Sequence, residues 1–203
     1  MKHSVRISAE EATLLASLVG KSLDSVVAGV VSATLHLEGQ TVEFLAEEEA
    51  VAETSPFGIV ARLALRLNPQ RSYEPDTSPL ARELGEIRQI HIACTAICLT
   101  ETTSIAAVSL QDDEEAPLDE PALVHEWCHP GSVRAQGDTL HSGEKAIEAD
   151  VGVLFQTASS KVVWVYAPFG PYIGTSVYEA GEVASLMDEL AASVETVPIA
   201  ERI

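Results

Sequence analysis

Alternation of apolar and polar residues is the feature that most restricts how this chain can fold. It is clearest in two stretches, 59–67 and 147–155, where apolar residues occupy every second position. Successive side chains of a strand point to opposite faces of a sheet, so a period of two predicts half-buried strands and not helices. A sheet of paired strands is therefore the predicted framework.

Further strands are predicted around these two stretches. Leu35 and Leu37 alternate with polar residues, and a turn at Gly39-Gln40 then leads into Thr41–Leu45, which is a hairpin pattern. Further predicted strands are 87–99, 162–166 and 172–178, and Ser104–Leu110 is a candidate to pair with 87–99. Other segments separate the strands: the three glutamates at 47–49 are predicted as a solvated connection, the proline-containing stretch 68–79 as a loop and 80–84 as a short helix.

Two amphipathic helices are predicted near the ends of the sequence. Ser8 and Glu11 form a capping box, and the apolar residues that follow predict a helix over 9–19 that stops at Gly20. Apolar residues spaced three and four apart predict a second helix over 183–194. The predicted fold class is α+β: an antiparallel sheet of meanders and hairpins with an N-terminal and a C-terminal amphipathic helix, in one domain spanning 1–203.

The charge of the chain restricts its partners. Its 31 acidic and 12 basic side chains give a net charge of −19, which repels the phosphate backbone of nucleic acids. Neither 89–133 nor 162–201 contains a Lys or Arg. A partner steered by this field would be basic. The alternative is a solvated acidic surface of the kind that salt-adapted proteins carry.

The stretch 111–143 has no clean period and is predicted to be a long acidic loop region. Together with Trp127, its carboxylates are predicted to contact a basic protein partner such as a toxin or nuclease. The carboxylates are Asp112, Asp113, Glu114, Glu115, Asp119 and Glu120. In charge and size the chain resembles bacterial immunity proteins and nucleic-acid-mimicking inhibitors, and that resemblance implies a non-enzymatic inhibitor without a cofactor. A homo-oligomeric scaffold is a third interpretation.

One short motif indicates a different chemistry. His125-Glu126-Trp127-Cys128-His129 matches H-E-x-x-H and resembles the zincin metalloprotease signature. The resemblance implies zinc bound by His125 and His129, with Glu126 as the general base and Glu148 as a third ligand. His141 is another candidate ligand. Pro130 disfavours helical geometry at His129, however, so the sequence favours a loop anchored by Trp127.

Several single residues carry weaker predictions. Three cysteines form an odd, sparse set that is typical of the reducing cytosol, and no signal peptide or membrane-spanning run is visible, so a cytoplasmic location is expected. Cys94 and Cys98, about 13 Å apart on one strand, are predicted to be small buried residues. Glu148 and Asp150 are expected to face solvent. Trp164, Tyr166, Phe169, Tyr172 and Tyr178 are candidates for a binding surface or for the core.

Overall fold

The computed structural model describes residues 4–50, 59–67, 79–102, 122–131, 145–167 and 172–203. They form a mostly antiparallel β-sheet with two helices, an architecture that is mainly β and broadly compatible with the α+β class. The strands are β1 (Ser4–Val5), β2 (Ser22–Ala28), β3 (Ser32–Leu37), β4 (Gln40–Ala50), β5 (Ile59–Leu67), β6 (Ala81–Thr102), β7 (Ala122–Cys128), β8 (Lys145–Thr157), β9 (Val162–Tyr166), β10 (Gly174–Tyr178) and β11 (Glu195–Pro198). The helices are α1 (Ala9–Ala16) and α2 (Val183–Leu190), and a 3-10 turn covers Ile199–Glu201.

The 22-residue strand β6 is the axis of the sheet. The strand order is β10-β9-β8-β6-β2-β3-β4-β5, and β7 and β11 also pair with β6. All of these pairings are antiparallel, whereas the short strand β1 pairs with β8 in parallel. Strand β6 therefore connects the hairpins of the first half of the chain to the β8-β9-β10 meander of the second half.

The first helix, α1, has a capping box at its N-terminus. The Ser8 hydroxyl accepts a hydrogen bond from the Glu11 amide at 3.2 Å, and the Glu11 carboxylate accepts one from the Ser8 amide at 2.8 Å. This capping box satisfies amides that have no partner within the helix. Gly20, with a φ of +87°, ends the turns after α1, because a left-handed backbone favours glycine.

The main hydrophobic core lies on the concave face of the curved sheet. It combines residues of β2–β5 with residues of β6, β8 and β9, so the first hairpins fold back over the meander. Phe44 of β4 and Phe155 of β8 meet edge to face at 5.9 Å, a contact worth about 1 kcal/mol beyond its buried area. On one side of this core, α1 contributes the buried residues Ala12 and Leu15.

A second cluster covers the opposite face of the meander. Leu186 and Leu190 of α2 pack with Leu154 and Trp164, and Tyr166 stacks on Trp164 with ring centroids 5.1 Å apart. Both faces of β8 are therefore covered. Gly152 allows this packing, because a Cβ there would lie 2.3 Å from the Trp164 ring.

Three sequence predictions about secondary structure are wrong. The glutamates at 47–49 lie within β4 and pair with β5, because arginine and apolar residues opposite them continue the ladder. Residues 81–84 belong to β6 and do not form a helix. Part of the predicted acidic loop, 122–128, forms β7, which pairs with the C-terminal half of β6. Residues 68–78, 103–121 and 132–144 lie outside the described part of the chain, as do Phe169 and His141.

No helix within the described ranges is long and apolar enough to cross a membrane.

Candidate functional site

A buried charge cluster joins both ends of the described chain to the middle of the sheet. Asp150 of β8 is 2% exposed, and its Oδ1 accepts hydrogen bonds from Arg6 at 3.0 Å and from Arg202 at 2.9 Å. Its Oδ2 accepts one from the Ile7 amide at 3.0 Å. A carboxylate removed from water in this way needs such partners, since an isolated buried charge is strongly unfavourable.

The expectation that Asp150 faces solvent is wrong, and a β-bulge explains why. Along β8, Gly152 pairs with Ala93 and Asp150 pairs with Cys94, so Val151 is an extra residue without a partner in β6. A bulge of this kind means that the residues on its two sides alternate out of phase, so those before Val151 occupy the opposite face from the one that the pattern after it predicts. Asp150 consequently shares a face with Cys94, which belongs to the main core, while Ala149 and Val151 join a separate apolar cluster.

Cys94 is buried, as predicted, but it lies among charges and not only among apolar groups. Its thiol donates a hydrogen bond to Asp150 Oδ1 at 2.9 Å and contacts the guanidiniums of Arg6 and Arg202. Burial and the neighbouring Asp150 carboxylate raise the pKa of the Cys94 thiol to about 12. The thiol therefore stays protonated and is not a nucleophile at neutral pH. The side chain of Cys98 lies outside the described residues.

Arg6 completes the cluster toward solvent. Burial by itself lowers the pKa of Arg6, but Asp150, Cys94 and Glu148 raise it overall, so the guanidinium remains charged. It also forms an ion pair with Glu148, whose side chain is about a quarter exposed. Glu148, expected to be solvent-facing and a zinc ligand under the alternative, is thus a half-buried ion-pair partner. Because the Cys94 thiol is protonated and neutral, the positive charges of Arg6 and Arg202 balance the negative charges of Asp150 and Glu148.

A second network of ion pairs involves Arg62 and Arg66. Arg62 of β5 contacts the Glu11 carboxylate at 2.6 Å and Glu47 at 3.3 Å, and Arg66 contacts Glu47 at 3.0 Å. Burial by itself raises the pKa of Glu11, but hydrogen bonds from Ser8 and the Leu65 amide, with the charge of Arg62, lower it overall. Arg62 thus stabilises the packing of α1 on β4 and β5.

The exposed charged residues within α2 and at its N-cap are acidic. Glu182, Asp188 and Glu189 are exposed on or beside this helix, and we call these three residues the α2 acidic surface. No basic residue occurs between 162 and 201. The predicted acidic run, comprising Asp112, Asp113, Glu114, Glu115, Asp119 and Glu120, lies outside the described residues.

The first four residues of the H-E-x-x-H motif lie on a strand and not on a helix, and His129 follows the end of that strand. His125, Glu126 and Trp127 belong to β7, and Cys128 ends it. Residues four apart on extended backbone are separated by about 13 Å, whereas on a helix they are neighbours one turn apart. The helical pairing of His125 and His129 that a zincin site requires is therefore not formed by this segment.

The residues around the motif have other contacts. His129 Nδ1 accepts a hydrogen bond from the Gly131 amide at 3.1 Å, and half-buried Trp127 packs against two apolar clusters. Among the residues that the structure describes, no group of three or more His, Cys, Asp or Glu side chains could hold a metal ion. Zinc binding stays a prediction of the sequence, and zinc analysis of the purified protein tests it.

Sequence reasoning missed Arg6 and Arg202, which carry no motif. Asp150 fits the alternation of β8 as a solvent-facing acid would, and the bulge that turns it inward leaves no signature in the sequence. Of the aromatic candidates, Trp164 is buried and Tyr166 stacks on it, while Tyr172 is exposed.

No protein-family model matches the chain, and comparisons with curated proteins and with solved structures find none similar to it. The class of molecule is therefore defined by its own architecture: a mainly antiparallel β protein with two helices, a buried arginine–aspartate cluster and an acidic exposed surface.

Proposed function

We propose that this protein is a non-enzymatic acidic binding protein that recognises a basic protein partner. The observation that carries the proposal is that three of its arginines are paired with buried or half-buried carboxylates. Arg6 and Arg202 are held by Asp150, and Arg62 is held by Glu11, so these charges offset internal carboxylates and leave the exposed surface acidic. Electrostatic complementarity of this kind accelerates encounter with a positively charged surface.

The α2 acidic surface is the described region that best suits this role. Its carboxylates lie on an element anchored by Leu186 and Leu190, so they are presented on a rigid support. A rigid array loses less conformational entropy on binding than carboxylates on a flexible chain. The acidic run at 112–120 adds to the net negative charge of the chain, but salt screens its field beyond about a Debye length, near 8 Å at physiological salt.

The experiment compares two triple variants that each remove three negative charges. The test variant is Glu182→Gln, Asp188→Asn and Glu189→Gln, and the matched control neutralises three exposed acids elsewhere, namely Glu10, Asp24 and Glu38. The partner is captured from extract with the wild-type protein, and its association rate is then measured with each protein between about 50 and 500 mM salt.

We expect the wild-type association rate to fall at least about tenfold over this range, and the test variant to associate slowly even at low salt. The control variant should lose only the smaller effect of net charge. Rates indifferent to salt, or equal losses in both variants, would reject a specific role for the α2 acidic surface. Failure to capture any basic protein would reject the proposed function itself.

A further inference from the structure

A groove with basic walls lies where the β8-β9 turn meets α2. It has a volume of about 330 Å³ and is lined by residues of β6, of β8 and β9 with the turn between them, and of the start of α2. This volume is at the lower end of the range for small-molecule sites. The lining residues are Arg88, Gln89, Gln156, Thr157, Ser160, Lys161, Val162, Ala180 and Val183.

The charge of this groove is opposite to that of the molecule. Among the lining residues, the charged ones are Arg88 and Lys161, in a chain whose net charge is −19. The amide groups of Gln89 and Gln156 and the hydroxyl of Ser160 add hydrogen-bond donors. Val162 and Val183 form an apolar part of the wall. A ligand matched to these walls carries a compact negative charge and a small apolar body.

The present partners of the two cations are weak. Arg88 contacts Glu86 at 3.2 Å, but both side chains are largely exposed, and Lys161 contacts the exposed Glu179 at 2.9 Å. Ion pairs with such exposed partners contribute little, because water and salt screen them. Neither Glu86 nor Glu179 lines the groove. An anion in the groove would therefore compete only with weak ion pairs for these two cations.

We propose that this groove binds a small phosphate monoester. A phosphate group carries about −1.5 to −2 charges at pH 7, which matches the two cations, and it offers three acceptor oxygens to the surrounding donors. A single carboxylate would neutralise only one of the cations. Arginine suits this task because its planar guanidinium donates two parallel hydrogen bonds to phosphate oxygens. Glu182 of the α2 acidic surface lies between the lining residues Ala180 and Val183, but the groove binds an anion and does not depend on the proposed function.

Three probes distinguish the ligand chemistry: inorganic phosphate, phenyl phosphate and benzoate, each titrated at constant ionic strength and followed by amide chemical shifts. We expect phenyl phosphate to shift the amides of Ser160 and Lys161, and to bind more tightly than inorganic phosphate because it also contacts the apolar wall. Benzoate should bind at least about tenfold more weakly than phenyl phosphate, since it lacks the second charge.

Three single variants test the assignment of the cations. Lys161→Gln should weaken phenyl phosphate binding about tenfold, and Glu179→Gln should strengthen it severalfold because it frees Lys161 from its competitor. Arg66→Gln is the matched control, since Arg66 is an exposed cation on β5 that does not line the groove, and it should leave binding unchanged. Equal binding of benzoate, unaltered binding by Lys161→Gln, or shifts confined to other regions would overturn the proposal.

Discussion

The guanidinium of Arg202 donates a hydrogen bond to the carboxylate of Asp150 across 52 positions of sequence, with a nitrogen–oxygen distance of 2.9 Å. The same oxygen accepts a hydrogen bond from Arg6 at 3.0 Å. One carboxylate on a central strand therefore fixes the segment before α1 and the segment after β11. Both segments are short, and this charge adds to the burial of Ile7 and Ile199 in the main core in holding them in place.

Neutralising Asp150 should destabilise the fold substantially. Asp150→Asn keeps the size of the side chain but leaves two arginines without their shared counter-charge. Breaking a fully buried ion pair costs about 3–5 kcal/mol, and because the arginine side chains are 27% and 24% exposed, we expect a loss of about 2–3 kcal/mol. Urea unfolding, read as a shift of the midpoint at constant slope, measures it.

Glu148→Gln is the matched control for that measurement. It also removes one negative charge next to Arg6, but Arg6 keeps Asp150 as a partner, and the Glu148 side chain is 28% exposed. We expect a loss of about 1 kcal/mol or less. Equal losses for the two variants would show that net charge, and not the buried contacts of Asp150, accounts for the effect.

Alkylation should distinguish the two described cysteines. With its pKa raised to about 12, only about one in ten thousand Cys94 thiols is ionised at pH 8, and the side chain is buried besides. Cys128 is half-buried. We expect iodoacetamide to label Cys128 first and Cys94 only at the rate of unfolding, as followed by mass spectrometry of peptides. Rapid labelling of Cys94 in the folded protein would contradict the arrangement around Asp150.

Local sequence signals predicted much of the framework. The period of two in 59–67 and 147–155 corresponds to β5 and β8, and the Gly39-Gln40 signal corresponds to the β3–β4 hairpin. Turn residues and the alternation of buried and exposed positions determine these strands, and both can be read from a single sequence.

The buried cluster depends on relationships that the sequence does not contain. Asp150 alternates with apolar residues as a solvent-facing acid would, and only the unpaired Val151 places it inside. Arg6 and Arg202 approach it from opposite ends of the chain, a consequence of tertiary folding alone. Likewise the sequence of β7 has no regular alternation that would predict a strand. Its pairing with β6 determines its backbone more than its own composition does.

Gly152 should be intolerant of even one methyl group. A Cβ there would lie 2.3 Å from the Trp164 ring and 2.8 Å from the Val165 carbonyl oxygen, so the backbone of β9 would have to shift. We expect Gly152→Ala to cost about 1–3 kcal/mol in unfolding free energy. Gly181→Ala is the control, since a Cβ at Gly181 meets nothing within 4 Å, and its effect should stay within about 0.5 kcal/mol. A tolerated Gly152→Ala would place Trp164 elsewhere.

Acidification below neutral pH should reveal the burial of His91. Burial lowers the pKa of His91 from its ordinary value of 6.5. The unfolded chain therefore binds this proton more readily than the folded one, so the contribution of His91 to stability is present above pH 6.5 and falls as the pH drops through that value toward the lowered pKa. We expect the unfolding free energy of wild type, relative to His91→Gln, to decline between about pH 7.5 and 5.

The comparison with His91→Gln removes the effect of overall charge, which both proteins share. Glu11→Gln serves as a second control, because the pKa of Glu11 is lowered from 4.5 and its stabilising contribution is lost only at lower pH. That variant should be less stable throughout this window yet keep the same slope as wild type. A flat difference between wild type and His91→Gln would mean that the imidazole is as solvated as in the unfolded chain.

Ser160 links the stability of the β8-β9 turn to the proposed phosphate site. Its φ of +61° lies in the left-handed region, which is unfavourable for serine by about 1 kcal/mol, and its side chain lines the groove. Ser160→Gly should relieve the backbone strain and raise the unfolding free energy by about 0.5–1 kcal/mol, while weakening phenyl phosphate binding severalfold through loss of the hydroxyl.

Ser160→Ala separates the two effects, since it removes the hydroxyl but keeps the strain. It should weaken binding equally without stabilising the fold. If alanine and glycine changed stability alike, the left-handed backbone of Ser160 would not be the origin of the gain; if neither weakened binding, the hydroxyl would not contact the ligand.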